Sequence, residues 1–452
     1  MDKTIIKYLL LLFVSLNICA DDIQMQEIKD QIKSLTKRLE SYDDMKAQLK
    51  ELTKRLEAYE KQEPKQNNFI DYTLKEAAPI IHKPHSEGLN LKTEDTSISV
   101  GGRIQLHSVY AWPEGSFFAG TIPLDKESLG EDGQLTLSAR DSRLWVKTRT
   151  PSEYGPIRAL IETDFLGTAS GTEVNTNSHG IRLRHAYIQG AGFTVGQTNS
   201  AFNSLVTLDT ISYAVNDTLV RQPLIRYSFD EKDFTYDISL EQPETTLLDS
   251  SAEIITPKDD ILPDIVGRIR YYPSWGEASA AFLARVIKQD HASLSDGTVL
   301  NSSDEAFAWG TNVSAKIKVL NLDDIRFDAQ YGVGMGRYIA YDAYAAGFVD
   351  SDGKIKLQAS FGAHLGYRHW WSEKLRSTLA LSYAGTDNDI KNIQADDLYK
   401  VNKDAYSLQL NLLWIPIKNA LVGVEYAKAV RDVESGDKGY IDMLIFLVRY
   451  DF

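Results

Sequence analysis

The sequence predicts an all-β transmembrane barrel of about 16 antiparallel strands, preceded by an N-terminal α-helical coiled coil. Three observations carry this expectation. Apolar residues recur in steps of 3 and 4 up to Tyr59, then at every second position from Ser97 onward. The connections between the alternating runs switch between short and long. The last run, "DMLIFLVRYDF" at 442 to 452, is aromatic and aliphatic on one face and finishes on Phe452.

Composition bounds the reading first. The 452 residues are 43% hydrophobic, and a bundle of membrane helices is excluded because each span needs roughly 20 mostly apolar residues. The one run that approaches this is "MDKTIIKYLLLLFVSLNICA", with Lys3 and Lys7 ahead of an apolar core from Tyr8 to Ile18 and small residues at Cys19 and Ala20. It reads as a signal peptide over 1–20. A retained anchor is the alternative, disfavoured by the short core, and Ile18 disfavours a lipoprotein through Cys19. Cys19 is the chain's 1 cysteine, so the processed chain has none, which excludes thiol catalysis and cysteine metal sites. The net charge of -14 argues against a nucleic-acid partner, since phosphate binding needs an accumulated positive field.

Residues 21–62 are expected to form a periplasmic coiled coil. Met25, Ile28, Ile32, Leu35, Leu39, Tyr42, Met45, Leu49, Leu52, Leu56 and Tyr59 lay one seam along a helix. "SLTKRLESY" at 34 to 42 returns as "ELTKRLEAY" at 51 to 59, an offset of 17, or two heptads plus three, which overwinds the coil near Tyr42 to Met45. A solitary charged helix is the alternative, and the seam leaves strand number open. Pro64 ends the helix, and the polar, proline-bearing stretch 63–95 reads as a linker.

The body, 96–452, has period 2. In "SISVGGRIQLHSVYAW", Ile98, Val100, Ile104, Leu106 and Tyr110 share one face, with Arg103, Gln105 and His107 on the other. "RLWVKTRT" and "IRALIETDF" repeat the pattern, and about sixteen such runs begin near 98, 140, 156, 181, 192, 220, 233, 264, 277, 305, 324, 354, 374, 404, 419 and 440. "SEYGP", "GAG", "EKD", "PSWG", "NLDD", "WSEK" and "PIKN" are tight turns, while the alternate connections, such as 113 to 139 and 333 to 353, read as long and polar. Short turns on one rim and long loops on the other are the pattern of bacterial outer-membrane barrels, and a soluble sandwich gives no reason for it. Leu444, Phe446, Val448, Tyr450 and Phe452 then face lipid, with Tyr450 and Phe452 at the level of an aromatic girdle; such a strand resembles the signal that barrel-assembly machinery reads. The expected location is the bacterial outer membrane, with its lipid as a partner.

The opposite face lines a lumen. It carries Arg103, Arg143, Lys147, Arg149, Arg158, Arg182, Arg184, Arg226, Arg268, Arg270, Arg285, Arg326, Arg368, Arg376 and Arg449, against fewer acids, among them Glu162, Asp164, Asp237, Asp328 and Glu425. Guanidinium stays charged and binds carboxylates in a bidentate way, so this wall favours small organic anions. The bland alternative is that each arginine pairs with an acid across the wall. The loop "NSAFNSLVTLDTISYAVNDTLV" at 199 to 220 is apolar for an exposed loop and is expected to fold inward and narrow the lumen. His107, His179, His185, His364 and His369 come with no serine motif or metal spacing, so no enzyme, cofactor or metal site is expected.

"GRIQLHSVY", "RDSRLWVKTRTPSEYGPIRALIETDFLG", "RLRHAYIQGAGFTVGQTNSAF" and "LVRQPLIRYSF" resemble stretches of the DcaP-like outer-membrane porins, in the family's order from about 101 to 230. The resemblance implies a homotrimer of sixteen-stranded barrels, often with an N-terminal coiled coil, taking up small organic anions, dicarboxylates in particular. It implies a basic wall at Arg143, Arg149, Arg158, Arg182 and Arg184, an inward loop at 199 to 219, and Arg221 where that loop rejoins the wall. Asn199 departs from the family pattern, which favours an aromatic there. Two functions are thereby expected: a diffusion porin with Arg103, Arg143, Arg149, Arg158, Arg182, Arg184, Arg221 and Arg226 lining the pore, or a membrane anchor whose coil reaches the peptidoglycan.

Overall fold

The computed structural model describes residues 89–92, 95–124, 133–168, 176–257, 259–320 and 322–452. The expected signal peptide, coiled coil and most of the linker lie outside the described residues. The barrel strands are β1 (Ser97–Trp112), β2 (Gln134–Ser138, continued by Arg143–Thr150), β3 (Ile157–Asp164), β4 (Arg182–Gly190), β5 (Phe193–Asn199), β6 (Arg221–Glu231), β7 (Phe234–Glu241) and β8 (Asp264–Tyr271). They continue with β9 (Gly276–Asp290), β10 (Ser303–Lys318), β11 (Asp324–Val333), β12 (Ala359–Ser372), β13 (Leu375–Asp387), β14 (Asn402–Trp414), β15 (Ala420–Val433) and β16 (Lys438–Asp451).

Each strand pairs antiparallel with the next, and β16 returns to β1 from Asp451↔Arg103 to Asp442↔Trp112, so the 16-stranded sheet closes. Closure leaves no edge, which a lipid-embedded sheet requires because hydrocarbon cannot satisfy free backbone groups. Leu89–Lys92, at the end of the expected linker, adds a short ribbon against Ser97–Val100.

The two faces follow the alternation. On β8, Ile265 and Ile269 are exposed on the outside while Val266, Arg268 and Arg270 are buried within. On β16, Phe446, Val448 and Tyr450 point outward and are exposed, as is Phe452 just past its end. The seam depends on a close approach: Gly102 and Phe452 exchange backbone hydrogen bonds of 2.9 Å each, and a Cβ on Gly102 would overlap the Phe452 ring. Only glycine leaves that space.

Three loops turn into the barrel, where the sequence reading gave one. Besides 200–220, the segments 113–124 and 334–358 bury Phe117, Ile122, Met335, Tyr338 and Ile339 in the same apolar cluster as Phe202 and Val215. These two were expected to be long polar loops. Their apolar side chains cover one another inside the lumen, where each alone would face water. Beside them Leu247–Leu248, Ile254–Ile255, Gly347–Val349 and Ile355–Leu357 form a small separate sheet.

Candidate permeation site

The inward loop 200–220 crosses the lumen and is bound to the far wall by charge. Asp209 is fully buried and accepts from Arg376 Nη2 (3.1 Å), Arg376 Nε (3.3 Å) and Thr378 Oγ1 (2.7 Å) on β13. Burial alone would raise the Asp209 carboxyl, but Arg376, Arg326 and Arg368 outweigh it and hold it well below the ordinary carboxylate range. Glu425 on β15 accepts from the backbone N–H groups of Ile211 (2.6 Å) and Ser212 (2.7 Å) and from Ser212 Oγ (2.5 Å). The N–H groups of Val215 and Asn216 donate to Ser407 Oγ and Ser382 Oγ, and Arg326 Nη1 donates to the Val206 carbonyl. A loop inside a barrel still needs partners for its backbone groups, and these wall side chains supply them.

Between this loop and the opposite wall lies a cavity of about 500 Å³. Its wall is formed by β1, β2, β4 and β16, which present Arg103, Arg143, Arg184 and Arg449, with Arg221 at the start of β6. The facing side is uncharged, with Leu208, Ile211, Ser212 and Tyr213 from the loop and Phe118 from 113–124. Phe118, Tyr213 and Tyr341 come from three different loops and meet edge-on or stacked, with ring centroids 5.3 to 6.3 Å apart.

The carboxylates that balance the arginines stand behind them. Arg103 Nε donates to Asp451 Oδ1 (2.6 Å), and Arg449 Nε lies 3.5 Å from Asp451 Oδ2. Arg143 Nη1 donates to Glu162 Oε1 (3.4 Å), while Arg184 donates to Glu162 Oε1 and Asp164 Oδ2 (2.7 Å each). Asp451, Glu162 and Asp164 are buried and do not line the cavity; Asp141, paired to His107 at 3.4 Å, is the carboxylate that does. A register shift in the β3–β4 ladder, where Glu162 faces His185 and Thr163 faces Leu183, leaves Arg184 opposite no residue of β3 and turns both Arg184 and His185 inward. Arg221 makes no hydrogen bond or ion pair among the described residues.

Of the arginines expected to line the pore, Arg103, Arg143, Arg184 and Arg221 line this cavity. Arg182 stands at the long-loop end of β4, held bidentate by Asp164 at 3.0 and 2.7 Å. Arg149 and Arg158 face each other across β2 and β3 near the short-turn rim, away from the cavity. Arg226 is buried on β6, also outside it. Phe118, Tyr213 and Tyr341 were not singled out from the sequence; aromatic residues in stretches between strands were the available signal. Among the described residues, no group of three His, Cys, Asp or Glu side chains is placed to hold a metal.

Comparison with known proteins agrees with this architecture. The DcaP outer-membrane channel of Acinetobacter baumannii shares the fold, with a TM-score of 0.67 at 22% identity over 80% of this chain and 99% of that one. OmpT, an outer-membrane protein of Vibrio cholerae, aligns with a TM-score of 0.50 at 9% identity, over 81% of this chain and 100% of that one. Porin Omp2b of Brucella suis is 27% identical over 37% of this chain and 49% of that protein, and its Brucella abortus counterpart is 26% identical over 37% and 48%. The chain thus matches about half the length of these curated relatives. The sequence profile of the Porin subfamily matches residues 125–438, well over half of the chain, and the chain therefore belongs to the Porin subfamily.

Proposed function

We propose that the protein is an outer-membrane diffusion porin for small hydrophilic solutes, preferring organic anions such as dicarboxylates. The observation that carries this is the lining of the narrowed lumen, five arginines against Asp141, with the balancing carboxylates set behind the wall. Preorganised guanidinium groups facing a confined aqueous path lower the barrier for anions and raise it for cations. An uncharged facing side leaves no second acid row to attract cations.

Self-association as a homotrimer fits the wall heights. β3, β5, β7 and β8 have 8, 7, 8 and 8 residues, short of the roughly 9–11 that a tilted strand needs to span the apolar layer, whereas β9, β10 and β12 to β16 have 13 to 16. A low wall is better covered by protein than by lipid.

The test is single-channel recording in a planar bilayer under a salt gradient, with and without succinate. A reversal potential of anionic sign, with conductance reduced by succinate, is expected. A cationic reversal potential would refute the preference, and a folded but silent barrel would favour the membrane-anchor reading.

A further inference from the structure

A second cavity, of about 400 Å³, lies on the long-loop side of the first. It is bounded by Leu219–Arg221, by Glu244–Thr246 above β7, and by the turn Arg337–Asp342 in the loop after β11. Arg221 lines both cavities. Arg337 lies over the Tyr338 ring at 5.9 Å and, like Arg221, makes no hydrogen bond or ion pair with a described residue. Arg285 close by is different in kind: Asp264, the Glu244 carbonyl and Thr245 Oγ1 take its donors, so it holds the wall and the loop together. A guanidinium with no internal acceptor, set in a wet cavity, offers its planar fork to whatever oxyanion enters.

The turn that carries Arg337 is firmly built. Ala340, Tyr341 and Asp342 have φ of 46°, 54° and 64°, three successive non-glycine residues in the left-handed region. Such a run persists only where its surroundings over-determine it. Thr246 Oγ1 donates to Asp342 Oδ1 (2.8 Å), Asn203 Nδ2 donates to the Tyr338 carbonyl (2.9 Å), and the Tyr338 hydroxyl donates to Asp264 Oδ2 (2.8 Å). Asp342 and Glu244 also line the cavity, Glu244 exposed and accepting from Gln242 Nε2 (2.9 Å). The cavity therefore has a modest net field, and any selectivity for anions depends on where its two unpaired arginines sit.

We propose that Arg221 and Arg337 form an outer anion-binding station, which takes the carboxylate or other oxyanion of an entering solute before it reaches the constriction. The shared Arg221 passes the solute from one cavity to the next, and a solute with two carboxylates engages both stations during transfer. This rests on the anion-porin reading and adds a direction to it: Arg337 acts on entry from the long-loop side.

The test uses the full-length protein in planar bilayers, with succinate added to one side at a time. Orientation is assigned with S435C in the exposed β15–β16 turn, labelled by a bulky membrane-impermeant reagent; the chain from residue 21 on has no other cysteine. R337Q should lower the succinate association rate from the long-loop side roughly 3- to 10-fold, as expected for loss of local steering, while association from the short-turn side keeps its rate. R337K should restore most of the loss. An equal loss from both sides, or less than a twofold change from the long-loop side, would overturn the station. Wild-type protein that binds succinate from neither side would instead refute the anion-porin reading itself.

Discussion

Releasing the inward loop should widen the channel, and the anchors let the size of the effect be worked out. Asp209 is fully buried against Arg376, whose side chain is 1% exposed, so Asp209→Asn leaves a buried guanidinium with no counter-charge. Breaking a buried pair in this way costs about 3–5 kcal/mol, which is roughly a 10²- to 10⁴-fold shift toward the detached loop. Against this stand the bonds to Glu425, at 2.6, 2.7 and 2.5 Å, each worth about 1.5–3 kcal/mol because the acceptor is charged. The single variant should therefore keep the loop mostly in place and add open-channel noise. D209N/E425A removes both anchors and should detach it. The barrel itself keeps its closed ladder of backbone hydrogen bonds and should stay folded, checked by its heat-modifiable mobility on a gel. In single-channel recording the double variant should show a conductance clearly above wild type and a weaker anion preference, because solutes no longer pass close to Arg143 and Arg184. A folded double variant with wild-type conductance and selectivity would refute the reasoning, since loop 200–220 would then not set the constriction.

Two further outcomes follow from local geometry. Gly102→Val puts a Cβ 2.4 Å from the Phe452 ring and 3.0 Å from the Arg143 carbonyl oxygen, with two methyl groups beyond it, so the seam should lose about 1–3 kcal/mol and the yield of folded barrel should drop, with G102A milder; unchanged urea resistance would count against a glycine-dependent seam. Burial raises the Asp342 carboxyl to about 6, opposed by the Thr246 hydrogen bond and by Arg337 and Arg285, with Glu244, Arg221 and Tyr341 sharing the cavity. A raised folded value means that its stabilising share is full below 3.8 and lost as pH rises through about 6, so Asp342 is charged at pH 7.5 and neutral at pH 5. A strong-acid anion such as ethanedisulfonate should enter faster from the long-loop side at pH 5 than at pH 7.5, and D342N should keep the faster rate at both; a pH response that survives D342N would assign it elsewhere.

Much of the barrel could be read from the chain because every strand separates two solvents. Lipid outside and water inside impose period 2 on all sixteen strands, and their starts at 97, 157, 182, 193, 221, 234, 264 and 276 lie close to where the alternation begins. The inward course of 200–220 was legible for the same reason, since an apolar loop avoids water. The same test applied to "GSFFAGTIPL" and "MGRYIAYDAYAAGFV" would have found the other two inward segments. What period could not supply was partnership. Asp451 meets Arg103 across 348 positions of sequence, and the β4 shift that turns both Arg184 and His185 inward depends on ladder register. Neither is present in any local pattern.

An acidic chain with a basic pore also separates two accounts of selectivity. One attributes anion preference to net charge in the lumen; the other to guanidinium groups aimed by carboxylates behind them. Asp451, which is 2% exposed, decides between them, because it holds both Arg103 and Arg449. A guanidinium has five N–H donors and a single carboxylate occupies only some of them, so a paired arginine still presents donors to the lumen. Asp451→Asn adds one positive charge to the wall. If net charge governs, the variant should favour anions more than wild type does. If positioning governs, two like-charged guanidinium groups lose their common anchor, separate by mutual repulsion and move into the path, and both conductance and succinate affinity should fall several-fold, in line with a loss of about 1 kcal/mol. Reversal potential and succinate block measured on the folded variant distinguish the two, and a rise in both anion preference and affinity would refute the positioning account.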